Sequence, residues 1–278
     1  MVINVESTFY RIKRQLRLPF FVATFAQITL ARIGKVPKIA RTFNQSLPYG
    51  RASSTKKRMT SVLPFARPSA DHEALFALIA QALRDKGYVV LPAALPVTVA
   101  DSLLEYLAHL GDEKFHHAAI GRGESRVRNQ FVRRDKITWI EPETGHAKEW
   151  HNWTGQLQQY LNRELLLGLF SFESHFACYE PGDFYQKHVD AFHGQSNRVL
   201  SLVTYLNRDW APDQGGELVI YDEKDEELVK VTPGFGTLVL FLSEEFPHEV
   251  LKAERSRFSV AGWFRVNTST ADRPDPPR

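Results

Sequence analysis

Hydrophobic positions along the chain change period near residue 170. Before it, Leu75, Leu78, Ile79 and Leu83 recur at helical spacing and predict a helix over about 71–88, closed by Gly87. Val89-Val90-Leu91-Pro92 reads as a short strand, and a second helix is expected from about Val97 to Leu110, after Pro96. The stretch 112–128 is polar and rich in Gly, His and Arg, which predicts a mobile loop. Lys136 to Ile140 has strand chemistry, and a third helix is expected over roughly Asn152 to Leu167. Beyond 170, apolar runs of strand length follow one another at 173–179, 199–206, 217–221, 227–231, 237–242, 248–252 and 257–266. Turn formers separate them, among them Pro181-Gly182, Gly215-Gly216 and Pro233-Gly234. Many short strands at this spacing predict an antiparallel barrel or double-sheet jelly roll, with the three helices packed outside the sheet. The Pro- and Asp-rich tail, 268–278, is expected to be disordered.

Charge alters this picture at one place. Residues 1–58 hold twelve Lys or Arg and a single acid, Glu6, whereas the remainder holds 23 basic and 31 acidic side chains. The two parts are therefore not one physical unit. The apolar run Leu18 to Ala31 inside the leader is shorter than the ~20 residues a spanning helix needs, and Gln27 and two Thr interrupt it. Lys and Arg continue after it, unlike a secretory signal. An organelle transit peptide, an amphipathic surface helix, or a start at Met59 that makes 1–58 a dispensable extension all fit. The leader carries no nucleic-acid motif, and neither nucleic-acid nor membrane binding is expected. The remaining composition, 43% hydrophobic and 24% charged overall, suits one globular domain over 59–267 with a jelly-roll core at about 171–266. Cys178 is the only cysteine, which argues for a reducing, cytoplasmic setting.

The candidate chemistry centres on His188-Val189-Asp190. On a strand, alternate side chains share a face, so this pair presents an imidazole and a carboxylate together. His248, after the turn Phe246-Pro247, supplies a third group at the start of another strand. Two His and one carboxylate on one side of a metal leave open positions, the arrangement of non-heme Fe(II) oxygenases. A closed zinc site fits less well, since there is no Cys pair. Arg257 stands nine residues after His248, with Ser259 two further on. If His248 and Arg257 lie on adjoining strands, the guanidinium can point into the barrel behind the metal, where a permanently charged bidentate donor suits a carboxylate.

The chain resembles the prolyl 4-hydroxylase group of Fe(II)/2-oxoglutarate dioxygenases, and within it the egl-nine branch of hypoxia-factor prolyl hydroxylases with their bacterial relatives. The resemblance rests on Asp135-Lys-Ile-Thr-Trp-Ile-Glu141, Ala177-Cys-Tyr-Glu-Pro-Gly182, His188-Val-Asp190, Arg198, Tyr205-Leu-Asn-Arg-Asp-Trp210, Gly215-Gly216, Pro247-His-Glu-Val250 and Arg257 through Trp263, in order and at matching spacing. It covers about residues 71–266 and leaves out the leader. It implies an α+β, mainly β fold: a double-stranded β-helix (jelly-roll) core flanked by N-terminal helices. It also implies Fe(II) on His188, Asp190 and His248, and the distal carboxylate of 2-oxoglutarate on Arg257, with Ser259 beside it. Tyr205 matches a tyrosine that hydrogen-bonds that carboxylate, and Tyr179 one near the metal-binding end. Asp135 and Arg198 match a pair that braces a mobile loop over the substrate entrance. One residue fewer separates Tyr179 from His188 than in that family, and the 190–198 loop has its own sequence.

The resulting expectation is oxidative decarboxylation of 2-oxoglutarate to succinate and CO2, with O2 as co-substrate and ascorbate as reductant, coupled to hydroxylation of a prolyl residue in a protein or peptide. A dioxygenase of another substrate (a free amino acid, another side chain or a damaged nucleobase) is one rival. A non-catalytic metal- or peptide-binding barrel is another, and a cupin-like isomerase or epimerase would not need Arg257. His193 is expected on a surface loop and His116-His117 in the loop over the entrance. Trp139, Trp210 and Trp263 are expected in the core. Asn152-Trp-Thr154 matches a glycosylation acceptor, which is without meaning in a protein that is not secreted.

Overall fold

The computed structural model describes residues 70–118, 131–141, 145–191 and 197–269. The leader, residues 119–128 of the expected loop, His193 and the tail from residue 270 lie outside them. Three α-helices among the described residues lie before residue 166, interleaved with short strands: α1 (Ala70–Lys86), α2 (Val97–His109) and α3 (Lys148–Leu165). Each buries one apolar stripe, as its sequence spacing requires: Phe76, Ile79 and Leu83 on α1, Val99, Leu103 and Tyr106 on α2, and Trp150, Trp153, Leu157 and Leu161 on α3. Gly87 ends α1 at φ +77° with its N–H on Leu83 O, a left-handed stop that glycine adopts without strain. α3 begins four residues before the expected Asn152, where the buried Trp150 already belongs to its apolar stripe.

The strands are β1 (Tyr88–Leu91), β2 (His116–His117), β3 (Lys136–Trp139), β4 (Leu169–Tyr179), β5 (Tyr185–His188), β6 (Arg198–Tyr205), β7 (Leu218–Tyr221), β8 (Glu227–Val231), β9 (Leu238–Leu242), β10 (His248–Val250) and β11 (Arg257–Val266). Among the described residues they form two antiparallel sheets, one in the order β1-β9-β6-β11-β4-β3-β2 and the other β5-β10-β7-β8. This is the jelly roll, with the helices on the outside of the larger sheet. The polar 112–118 stretch is not simply a loop: it holds a 3₁₀ turn at Asp112–Lys114 and then β2, paired to β3. β4 starts four residues before the expected run, because Asn162 pins Leu169 through both its N–H (2.7 Å) and its C=O (2.8 Å).

Period-two alternation divides the faces of the large sheet. Phe172, Ser174 and Phe176 of β4 turn to the helices: Trp150 Nε1 donates to Ser174 Oγ at 3.0 Å, and Tyr106 packs edge-on to Phe176 at 5.4 Å. Gly262 of β11 lies opposite, where any Cβ would meet the Phe172 ring at 2.5 Å. The helix layer is closed by aromatics, with Trp153 1% exposed, stacked on Trp150 at 5.9 Å and edge-on to Phe76 at 5.6 Å. Replacing Trp153 by Ala should therefore cost about 3–5 kcal/mol of stability, measured as a lowered denaturation midpoint.

Candidate active site

The opposite, inner face of the large sheet carries the polar residues, and the small sheet covers it. His188 ends β5 and His248 begins β10, and the two are direct cross-strand partners. Their rings lie 4.3 Å apart. Asp190 is past the end of β5, in a bend, so the His–Asp proximity comes from the chain turning after the strand and not from strand alternation as expected. His188 Nε2 lies 3.8 Å from Asp190 Oδ1, and His248 Nε2 lies 3.7 Å from Asp190 Oδ2. One donor atom from each of the three falls within 4.8 Å of the others.

Each ring is held by a carbonyl two residues before it, in β5 for His188 and in the turn before β10 for His248. His188 Nδ1 bonds Gln186 O at 2.8 Å and His248 Nδ1 bonds Phe246 O at 3.0 Å. A carbonyl only accepts, so in each neutral ring Nδ1 carries the proton and Nε2 keeps its lone pair. Burial and then the neighbouring His248 lower the His188 pKa to about 3, so this imidazole is unprotonated at neutral pH. Burial alone would raise the Asp190 pKa, but His248, His188, Arg198 and a hydrogen bond from Ser201 outweigh it and hold the carboxyl below its usual range. An ionised carboxylate and two imidazoles with the same fixed tautomer are the donor set for a divalent cation. Fe(II) fits it.

Further along the cleft lies Arg257, 1% exposed, at the start of β11. It belongs to the large sheet and His248 to the small one, so the two face each other across the cleft and do not share a sheet. Arg257 Nε donates to Gly216 O at 2.8 Å and Nη1 to Ser259 Oγ at 3.1 Å. The Tyr179 and Tyr205 rings flank the guanidinium at 4.8 and 5.0 Å. Gly216 sits at φ +71°, where a Cβ would come within 3.1 Å of the arginine's Cδ. Among the described residues no carboxylate pairs with this buried cation. The Tyr205 hydroxyl is buried without a hydrogen-bond partner. Its cationic neighbour Arg257 has only donors, so the phenol's own proton lacks an acceptor. Burial raises its pKa to about 12, so that proton is retained. The Tyr179 phenol is raised further by the same cause. A ligand carboxylate would supply both missing partners.

Asp135 and Arg198 are not a pair. In the large sheet, β11 and β4 stand between β6 and β3, which separates them. Asp135 is fully buried and takes a bidentate bond from Arg133 (2.5 and 2.8 Å). Arg133 in turn lies over the Tyr185 ring at 4.6 Å, and Tyr185 stacks on His188 at 3.5 Å. Asp135 is thus linked to His188 through Arg133 and Tyr185. Arg198 bonds Glu173 at 2.7 Å and stacks on Trp263 at 3.5 Å. Trp263 is buried, but Trp139 is 39% exposed and Trp210 only half-buried, so the expected core placement fails for two of the three. His116 and His117 are exposed on β2. Cys178 is buried, and burial followed by the Glu180 charge pushes its thiol up to about 12.

Sequence reading missed Arg133, Tyr185, Ser201 and His175. Arg133 and Asp135, opposite charges two residues apart, were a visible signal. The others had none, because their roles depend on which strands become neighbours.

These features define a class. Residues 174–265 match the family described as the 2OG-Fe(II) oxygenase superfamily. A prolyl-4-hydroxylase of Pseudomonas putida is 35% identical, with a TM-score of 0.62 over 69% of this chain and 98% of that chain. The chain belongs to this superfamily of Fe(II)- and 2-oxoglutarate-dependent oxygenases. A prolyl hydroxylase of Trichoplax adhaerens, solved in complex with a hypoxia inducible factor oxygen degradation domain peptide, is 25% identical with a TM-score of 0.60, covering 70% of this chain and 90% of that chain. The curated relative prolyl 3-hydroxylase OGFOD1 of Mus musculus is 35% identical over 97 residues, 32% of this chain and 17% of that protein. This chain thus aligns with only a small part of it. Among the described residues, no helix is long and apolar enough to cross a membrane.

The site contains one more titratable group with a clear consequence. His175 is 2% exposed, packed between Trp139 and Trp263 at 5.3 and 5.4 Å. Burial and then the Arg133 charge lower its pKa from 6.5 to about 3. Between those values the unfolded chain binds a proton that the folded one refuses, so stability falls as pH drops from 6.5 toward 3. The loss is roughly 1.4 kcal/mol per pH unit for this group. Equilibrium denaturation between pH 6.5 and 4 should show a shallower fall for His175→Phe than for wild type, by about one proton.

Proposed function

We propose that this chain is a prolyl 4-hydroxylase acting on a protein or peptide, with Fe(II), 2-oxoglutarate and O2, and with ascorbate as reductant. The observation that carries the reading is a buried arginine without a carboxylate partner in the same cleft as a His/His/carboxylate set. Nothing about folding requires either, and an uncompensated buried cation is costly. His188, Asp190 and His248 would hold the iron. Arg257, positioned by Ser259 and Gly216, would receive the far carboxylate of 2-oxoglutarate, and the protonated Tyr205 would donate to it. Tyr179 closes the other side of the guanidinium, toward the middle of the cleft. Bound iron supplies the oxygen chemistry that couples decarboxylation to succinate and CO2 with hydroxylation of a C–H bond.

The protein's own residues orient the partners and keep water out. The inner face carries small or apolar side chains, Ala177, Ala261 and Val203, between the arginine and the metal set. Beyond that set, Trp263 and the exposed Trp139 offer aromatic faces beside Arg198, which we read as the substrate end. Flat aromatic walls suit a pyrrolidine ring in an extended peptide. The prolyl hydroxylases among the relatives support the substrate class. The 4-position follows the Pseudomonas putida enzyme, which aligns over nearly its whole length. Asp135 acts in this reading through Arg133 and Tyr185 on His188. The buried, reduced Cys178 supports a cytoplasmic setting.

Succinate formation from 2-oxoglutarate with Fe(II) and ascorbate, in the presence of proline-containing peptides, tests this directly. His188→Ala should abolish turnover. Arg257→Ala should raise the 2-oxoglutarate requirement at least about 30-fold, since losing one partner of a buried charged contact costs ~2 kcal/mol or more. Turnover in wild type without hydroxyproline in any peptide would move the substrate to another side chain or a free amino acid.

A further inference from the structure

The three metal-site residues are not held alike. Each histidine is fixed locally, by the carbonyl two residues before it in the chain. Asp190 lies past the end of β5, and among the described residues no backbone group of its own segment holds it. Its hydrogen bond among the described residues comes from across the cleft: Ser201 Oγ on β6 donates to Asp190 Oδ2 at 2.6 Å. Ser201 Oγ also lies 2.9 Å from Ser243 Oγ, just past the end of β9. The two serines are 1% and 0% exposed, Ser201 within β6 and Ser243 directly after β9, whose five residues are all Leu, Val or Phe.

Proton counting gives this chain a direction. A hydroxyl has one proton, and an ionised carboxylate can only accept. Ser201 spends its proton on Asp190, so Ser243 must be the donor to Ser201. Two buried hydroxyls are unfavourable in an apolar layer unless satisfied, and here each hydroxyl donates in the same sense, toward one carboxylate oxygen. The register fixes the arrangement. Ser201 is the cross-strand neighbour of Phe241, Leu200 that of Leu242, and the Ser243 N–H bonds Val199 O at 3.0 Å. Both hydroxyls are thus set by the β6–β9 ladder, independently of the loop that carries Asp190.

We propose that Ser201, oriented by Ser243, is a positioning residue for Asp190. It occupies Oδ2, leaves Oδ1 for the metal, and so sets how tightly the site retains its ion. The inference rests on the metal-site reading above.

The test is Mn(II) binding to the full chain, followed by the electron paramagnetic resonance of the free ion, with thermal unfolding of the metal-free protein as a control. Ser201→Ala should raise the Mn(II) Kd roughly 10–100-fold, as removal of an outer partner of a metal ligand does. Ser201→Thr keeps the hydroxyl and should recover most of the affinity. Ser243→Ala should weaken binding less, and adding it to Ser201→Ala should weaken it no further, since Ser243 acts only through Ser201. Wild-type affinity in Ser201→Ala, with binding abolished in Asp190→Ala, overturns the proposal and leaves the metal site standing. Fully additive losses in the double variant overturn the relay. If Ser201→Ala fails to fold, Ser243→Ala decides, and an unchanged Kd there counts against the proposal. Absence of Mn(II) binding in the wild type removes the metal-site reading and this inference together.

Discussion

The alternation of side chains along β11, held between β4 and β6, orders the whole molecule. Phe258, Val260, Gly262 and Phe264 turn to the helices, while Arg257, Ser259, Ala261 and Trp263 turn to the cleft. Ten residues of β11 pair with β4 and seven with β6. A slip of one residue would exchange the two sets, placing a guanidinium in the helix layer and phenyl rings over the metal set. The aromatic helix layer and the Phe172 ring seated over Gly262 make that slip sterically impossible. Packing on one face therefore guarantees the chemistry on the other.

Buried polarity then determines what the cleft can hold. Polar groups on the inner face such as Asp190, Ser201 and Ser259 have protein partners, whereas among the described residues the Tyr205 hydroxyl and Trp263 Nε1 are buried without one. Among the described residues, Arg257 has a carbonyl, a hydroxyl and two ring faces but no carboxylate, and Tyr205 has a donor beside it but no acceptor. The same accounting distinguishes structural from chemical groups. Asp135, Glu173 and Arg198 are ionisable residues on or beside the cleft, and their partners are other protein side chains. His188, Asp190 and His248 keep donor atoms that converge on one point.

Much of this was legible from the sequence, and the reasons are specific. Helical spacing of Leu75, Ile79 and Leu83 and the turn pairs at 181, 215 and 233 announced the helices and the strand series, because burial on one face dictates those periods. The group of His188, Asp190, His248 and Arg257 was readable because such residue types have little reason to recur in or beside apolar strands otherwise. What was not legible depends on which strands become neighbours. β5, Tyr-Gln-Lys-His, lacks an apolar alternation, since its inward work is done by a ligand histidine. Asp135 and Arg198 looked like partners until the order of the strands set two others between them. Ser201 gave no signal, since its hydrogen bond exists only once Asp190 is brought across from the other sheet. Trp139 looked like core because composition does not say where a sheet ends.

β6 also works as a gauge. Tyr205, beside the arginine, and Ser201, beside the metal set, lie on one face of a single strand with Val203 between them. Four residues of strand separate their Cα atoms by about 13 Å, and the matching pair on β11, Ser259 and Trp263, repeats the interval in register. The distance between the anion grip and the reacting end is thus a property of backbone pleating, which side-chain substitution hardly alters. On the proposed reading, a lineage could change what is hydroxylated by altering the residues near Trp139 while keeping the same co-substrate. Changing the length of the co-substrate would require inserting or removing residues in two paired strands at once.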